Sequence, residues 1–457
     1  MKRVKIPYEY IDKHVIASAV SPKEIKRDSL ELEIPEKNLL AVVNPLEPAP
    51  IADVETATMR ALENPVCGPK LSELIGPDKS LVIITDNQFR PTPTSKFLKP
   101  VLDVVKKVGV KEIGVAIAGM MVSHEVPLDE KMISAKLGAE NVERIYEMGG
   151  EIWQNTPRHM EENVYRGRTD LATPVWVNKK LMRFDVKLGI SNTHASHWGY
   201  GGGDRLGLAM CSALTIESNH RYSPPLTPAQ HYGAYTGPMQ KDILQIARMI
   251  NYDFCINTIV DTKLEISDVN FGMLPYSHVE SVKKYNNIYA FDIDQLRYKK
   301  ADIVICGTFA PTNHIFFHTC WGIMSADLIC RDGGTIIYCS PVPGYGPVPG
   351  FALMDLMKPY MPPTTSNFER VLAGVFKLEI PMWTGCIWIP VYETMTRKHV
   401  TVVTNKENLQ MAHDIGIDAT DSLDEAFKEA LRRHGSDAQV VVLPYARYQL
   451  PWSAVKM

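Results

Sequence analysis

Leu81-Val82-Ile83-Ile84-Thr85 runs directly into Asp86-Asn87-Gln88-Phe89-Arg90-Pro91-Thr92-Pro93-Thr94, and this junction decides the fold class. The first five residues are apolar or β-branched and do not alternate with polar ones. That pattern suits a strand buried on both faces, as in a parallel sheet. The polar, proline-bearing stretch after it reads as a turn. Phe97, Val101, Val105 and Val108 then recur at helical spacing, and Gly109 is a C-terminal stop.

Working outward, the strand–helix alternation continues. Ile113 to Ala118 predicts a strand and Leu128 to Leu137 a helix. Val186 to Ser191 predicts a strand that enters a glycine-rich turn, followed by a helix over Leu206 to Glu217 and a strand over Phe254 to Val260. The first 75 residues, with prolines at 35, 45, 48, 50 and 65, read as strand and loop. Residues 141 to 180 read as short strands and loops, and 222 to 238 as loop. A second alternation begins near residue 290. Ala301 to Cys306 and Thr335 to Cys339 read as strands with a helix between them, and Val400 to Thr404 and Gln439 to Leu443 as further strands. Before the last strand, Leu423, Ala426, Phe427, Ala430 and Leu431 share one helix face, with Ser422 and Glu425 as a capping box and Gly435 as the stop. The expectation is an α/β protein of two domains, 1–290 and 291–457, with mainly parallel sheets flanked by helices.

Composition narrows the function. Hydrophobic residues at 45% and charged residues at 22% are the balance of an ordinary globular protein. A net charge of −3 gives no electrostatic reason to expect nucleic acid or an anionic membrane as partner. The eight cysteines form no CxxC pair and sit in apolar runs, which reads as buried thiols in a reducing compartment. No signal-peptide core follows Met1, and no run approaches about 18 apolar residues. A cytoplasmic enzyme with a small-molecule substrate is the expectation; the oligomeric state is left open.

Ligands of open α/β sheets bind beyond the carboxyl ends of strands, and three segments there carry unusual chemistry. In the first, Arg90, with Asp86 and Asn87 beside it, reads equally as a carboxylate clamp or as a surface ion pair with Thr94 as an N-cap. The second is Asn192-Thr193-His194-Ala195-Ser196-His197-Trp198-Gly199-Tyr200-Gly201-Gly202-Gly203-Asp204-Arg205. Gly201, Gly202 and Gly203 let the backbone approach a ligand, and a following helix aims N–H groups at an anion. His220 lies about one helix length downstream, so His194, His197 and His220 are candidate bases or metal ligands. In the third, Pro311 to Gly322, His314 and His318 share a face if helical, beside aromatic residues that read equally as core. A glycine turn, Pro343-Gly344-Tyr345-Gly346, follows the next strand.

These elements, in this order and spacing, resemble the nickel-pincer lactate racemase (LarA-like) family from the Leu81 strand to Pro444. The likeness rests on Arg90-Pro91-Thr92-Pro93, the histidine and glycine loop, Asn219-His220, and Gly333-Gly334 with its Gly344 turn. The resemblance implies two domains enclosing an active site in the cleft between them. It implies a pyridinium-derived nickel-pincer nucleotide that takes a hydride from the α-carbon of a 2-hydroxy acid while a histidine removes the hydroxyl proton. Arg90, with Asn87 or Asp86, falls at a substrate-binding position, His194 at a catalytic histidine, and His220 at the nickel ligand. Trp388, with Trp383 as the alternative register, falls at a tryptophan beside the cofactor.

The chain also departs from the family. Arg205 stands where a lysine tethers the cofactor, and a guanidinium is a poor nucleophile. Binding without a covalent link follows, with Gly201, Gly202, Gly203 and Arg205 as the cradle. Met121 stands near the family's other catalytic histidine; His124 lies close by and is a candidate substitute. His318 and Trp321 replace a glutamine and a lysine, so His318 is a third candidate base and Trp321 a stacking surface for substrate. The expectation is a racemase or epimerase for a 2-hydroxy acid other than lactate. Two alternatives are a zinc enzyme built on the same histidines and an inactive anion-binding homologue.

Overall fold

The computed structural model describes residues 1–457 apart from 12–15, 21–22, 120, 122–126, 197–198, 223–231, 298, 347 and 353. Two six-stranded sheets organise the described residues. The first has the spatial order Ile266–Met273, Phe254–Val260, Val186–Asn192, Ser80–Thr85, Glu112–Ile117, Glu151–Gln154. It is parallel except where the edge strand Ile266–Met273 runs against its neighbour. The second has the order Ala419–Thr420, His399–Val403, Cys330–Cys339, Ala301–Cys306, Val440–Leu443, Leu39–Val42, all parallel.

Every residue of Ser80–Thr85 is buried, which is why its sequence does not alternate. Leu81 and Ile83 face one apolar layer, built with Phe97, Leu98, Val101, Leu102 and Val105 of the helix Thr94–Val108. Val82 and Ile84 face the opposite layer, which includes Ile243, Ile246 and Ala247 of the helix Pro238–Met249. Fully burying each such aliphatic side chain contributes about 1.5–3 kcal/mol.

The order of connection creates a crevice in each sheet. From Ser80–Thr85 the chain moves outward through Glu112–Ile117 to Glu151–Gln154, then returns to lay Val186–Asn192 on the other side of its starting strand. Loops therefore leave the carboxyl ends of these neighbours in opposite directions. The second sheet repeats this, with Ala301–Cys306 between Cys330–Cys339 and Val440–Leu443. One apolar cluster joins the two units, running from Tyr200, Tyr232 and Tyr285 to Trp321, Tyr338 and Leu443. Tyr285 donates its hydroxyl to the Tyr448 carbonyl at 2.6 Å, and Tyr289 to Glu47 at 2.9 Å.

Several sequence expectations need correction. Leu39–Val42 is an edge strand of the second sheet, paired with Val440–Leu443, so a boundary at residue 290 does not describe the chain's start. Val54–Glu63 is a helix capped by Asp53, although strand and loop were expected. Ala139–Glu147 is helical as well. The helix expected over Leu206 to Glu217 is two, Arg205–Ala209 and Ala213–His220, because Ser212 caps a new start. Thr94 is inside its helix, not its cap, and shares a 2.6 Å hydrogen bond with Thr85. All eight cysteines are free thiols. Among the described residues no helix is long and apolar enough to cross a membrane.

Candidate active site

The two crevices open onto one cavity. Asp86, Asn87, Phe89 and Arg90 line it after the Ser80–Thr85 strand, and Ala118, Gly119 and Met121 after Glu112–Ile117. The segment after Val186–Asn192 supplies His194, Ser196, Gly201, Gly202, Arg205 and His220. Phe317, His318, Trp321 and Ile387 close it from the second unit. Candidates from all three sequence segments therefore meet, although His194 and His318 lie more than a hundred residues apart.

His194 opens a short antiparallel hairpin, His194–Ser196 with Gly199–Gly201, in which Gly201 lies opposite it. A Cβ at Gly201 would fall 2.5 Å from His194 Cε1, so the missing side chain is the space that the imidazole occupies. Nδ1 of His194 lies 3.1 Å from the Asn192 carbonyl. A carbonyl only accepts, so Nδ1 carries the proton and Nε2 keeps its lone pair. Burial, then Arg90 and Arg447, pushes this imidazole well below its usual pKa, so it is neutral at pH 7. The Trp321 ring lies nearly parallel to it, with centroids 6.4 Å apart at 8°.

Two guanidinium groups approach the Trp321 ring, Arg90 with Cζ at 5.5 Å from its centroid and Arg447 at 4.5 Å. Such contacts hold a guanidinium plane without neutralising it. Burial lowers the Arg90 pKa to about 10, which leaves it cationic. Among the described residues no carboxylate pairs with either arginine. The nearby Asp86 is already taken: it accepts from Lys136 at 3.2 Å and from the hydroxyl of Thr92. Lys136 is itself buried, so this pair is an internal brace for the turn that carries Arg90.

Behind the glycines, Asp204 is fully buried and accepts from Tyr235 at 2.7 Å, from Gln240 and from His278 at 3.0 Å. Burial alone would raise this carboxyl, but the His278 pairing and the hydrogen bonds outweigh it and hold it at about 2. Gly202 has φ 138°, and a Cβ there would lie 2.3 Å from His278 Nε2. Arg205 starts the next helix, donating through Nε to the Tyr200 carbonyl and through Nη2 to Gln240 at 3.1 Å. His220 ends the helix Ala213–His220 and is held at a pKa of about 3 by burial, then by Arg205. A neutral imidazole is the form that binds a metal. Its neighbour Asn219 is tied at 2.8 Å to Asp242, which also takes the hydroxyls of Thr169 and Thr173.

His318 lines the second-unit wall. Its Nδ1 lies 3.1 Å from Nε2 of His314, whose Nδ1 lies 2.8 Å from the Pro311 carbonyl. Burial, then His314, Arg90 and Arg447, lowers the His318 pKa well below the usual range.

Other candidates stand apart. Gly203 is packed rather than open: a Cβ there would meet Asn257 Oδ1 at 2.4 Å, and its carbonyl accepts from Tyr252 at 2.6 Å. Trp388 is buried in the helix Met382–Arg397, 6.4 Å from the Phe316 ring, and its neighbour Ile387 is the one that meets the cavity. Trp383 belongs to the same helix. His124 and His197 lie outside the described residues. Among the described residues no group of three or more His, Cys, Asp or Glu could hold a metal ion unaided, as a zinc site requires. Sequence reasoning missed Arg447, Lys136 and His278. Arg447 follows the carboxyl end of Val440–Leu443, so the strand-end rule would have found it; the other two are helical residues without a local signal.

Residues 25–230 match the lactate racemase N-terminal domain, and residues 296–446 the lactate racemase C-terminal domain. The chain belongs to the lactate racemase family. It is 24% identical over 395 residues to the lactate racemase of Thermoanaerobacterium thermosaccharolyticum, covering 85% of this chain and 88% of that protein. Against the lactate racemase of Lactiplantibacillus plantarum it is 24% identical over 393 residues, covering 84% and 88%. The structure of the lactate racemase apoprotein from T. thermosaccharolyticum superposes with a TM-score of 0.82 at 22% identity, over 98% of this chain and all of that one. A Thermotoga maritima protein shares the fold with a TM-score of 0.64 at 15% identity, over 89% and 99%. As a member of this family the chain is an enzyme of the racemase class.

Proposed function

We propose that this chain racemises or epimerises a 2-hydroxy acid other than lactate, using a nickel-pincer nucleotide held without a covalent link. The observation that carries the reading is the convergence of Arg90, His194, Arg205, His220 and His318 on one cavity. The residues present fit the cofactor. A pincer brings most of the nickel ligands itself, so one neutral imidazole from the chain, His220, suffices. Gly201, Gly202 and Arg205 line the same cavity, and the Arg205 cation supplies a countercharge for a phosphate there. When bound, the cofactor accepts and returns the α-hydrogen of the acid.

Arg90 binds the substrate carboxylate, beside Asn87, with the Trp321 ring next to the guanidinium. His194 takes the hydroxyl proton on Nε2, holds it while the acid is at the 2-keto level, and returns it. His318 does the same for the other enantiomer from the opposite wall. Phe89, Phe317, Trp321 and Ile387 exclude water, which strengthens each charge interaction inside. Met121 on the first-unit side and His318 and Trp321 on the second make the cavity lining unlike the family's, which supports a substrate other than lactate.

The test is expression together with cofactor-biosynthesis proteins, followed by nickel analysis and native mass spectrometry. One nickel per chain is expected, with a cofactor mass that is lost on denaturation. Single enantiomers of α-deuterated 2-hydroxy acids should then invert with the deuterium retained. Absence of nickel under these conditions, or washout of the label into water during inversion, overturns the reading.

A further inference from the structure

Two hydrogen bonds, one in the turn before Phe316 and one from that turn to the helix Phe316–Thr319, fix the proton positions of His314 and His318. The Pro311 carbonyl can only accept, so the 2.8 Å contact from His314 Nδ1 places a proton on that nitrogen. A neutral His314 then presents a lone pair at Nε2. His318 Nδ1, 3.1 Å away, must donate to it. The remaining nitrogen of His318, Nε2, is left as an acceptor on a side chain that lines the cavity. The opposite arrangement needs a protonated His314 donating through both nitrogens. That would bury a third cation beside Arg90 and Arg447, which already face His318 and lower its pKa along with burial and His314.

We infer that His314 is a positioning residue: it locks His318 in the Nδ1–H tautomer and so presents Nε2 as a proton acceptor to the cavity. The His314 ring is itself held. Phe89 lies against it with centroids 5.7 Å apart at 11°, Tyr345 is 5.7 Å away, and the His314 carbonyl accepts from Gly344 N–H at 2.7 Å. When His318 Nε2 takes the hydroxyl proton, its Nδ1–H bond to His314 becomes charge-assisted and roughly twice as strong. The proton goes back to the substrate oxygen from the same nitrogen, so no other reactant is needed. As to catalysis, the inference rests on His318 being the second base of the proposed reaction. The tautomer itself does not depend on that.

The test uses the full chain labelled with 15N-histidine and read by imidazole 15N spectroscopy. The expected wild-type spectrum has His318 protonated at Nδ1 and bare at Nε2. His314→Phe, which keeps an aromatic ring but no acceptor, should shift His318 towards the Nε2–H form. His314→Gln, whose amide oxygen can accept, should restore the original form. In the cofactor-loaded enzyme His314→Phe should lower kcat by about tenfold or more with little change in KM, and His314→Gln should recover part of it. An Nε2–H form in the wild type overturns the inference without any variant, and so does an unchanged tautomer in a folded His314→Phe. If the tautomer is as expected but His318→Gln inverts substrate at the wild-type rate, the assignment of His318 as base fails while the tautomer assignment stands.

Discussion

Gly201→Ala isolates the placement of one imidazole. Gly201 is not in a positive-φ conformation, so an alanine there meets no backbone strain, only the His194 ring. The new Cβ would lie 2.5 Å from Cε1 and 2.6 Å from Nε2, against ordinary contact distances of 3.4–4 Å. The ring or the hairpin must therefore move by about 1 Å. Moving His194 into the cavity it lines breaks the Nδ1 bond to Asn192 and shifts the ring relative to Trp321 and Tyr448. Overpacking of this kind costs about 1–3 kcal/mol of stability, and a base misplaced by about 1 Å costs roughly 10²-fold in rate. The expected result is a folded protein, modestly destabilised in urea, whose kcat for inversion of its 2-hydroxy acid falls by about 10²-fold. An alanine variant with activity within about twofold of wild type would refute the argument, because it would show that Nε2 of His194 does not have to stay where Gly201 lets it sit.

Further outcomes follow from the same geometry. His220 is held at about 3 in the folded chain and returns to 6.5 on unfolding, so the unfolded chain binds the proton first as pH falls. His194 and His318 shift in the same direction, so stability present above pH 6.5 should be lost progressively below it; urea unfolding at pH 7.5 and pH 5 measures this, and equal stabilities would contradict neutral burial. Arg205→Lys places an amine at the first residue of the helix after the glycine turn, and denatured mass spectra of protein made with the cofactor-biosynthesis proteins should then show a covalent adduct that wild type lacks. Arg447→Met removes a buried guanidinium that carries no ion pair among the described residues, and should raise KM for the acid by about tenfold or more with a smaller effect on kcat. An unchanged KM would mean that Arg447 serves only to hold Trp321 and the His318 backbone.

Much of the fold is legible along the chain because fully buried strands announce themselves. Phe254–Val260 and Ala301–Cys306 occur with the bounds read from their apolar runs. The helix Leu423–His434 also stands where its apolar stripe, Ser422 cap and Gly435 stop place it. The helices that escaped notice bury little that is apolar. Val54–Glu63 buries only Thr58 and Leu62, and Ala139–Glu147 only Asn141, Val142 and Ile145. The break at Ser212 is hidden because the apolar pattern continues across it.

The sequence by itself determined that this is an α/β chain with reactive residues gathered at strand ends, and its motifs placed it within a family. These are local properties, set by side chains a few positions apart. Only the tertiary structure decided which of those ends share a cavity. That depends on Val186–Asn192 returning to the flank of Ser80–Thr85, and on Val440–Leu443 doing the same to Ala301–Cys306. It also decided protonation. His194 and His318 are fixed as acceptors at Nε2 by the carbonyls and rings around them. Arg447 stands beside the site because Trp321, more than a hundred residues earlier, packs against its guanidinium. Charge and tautomer depend on what surrounds a group in space, so they appear only when distant segments are packed together.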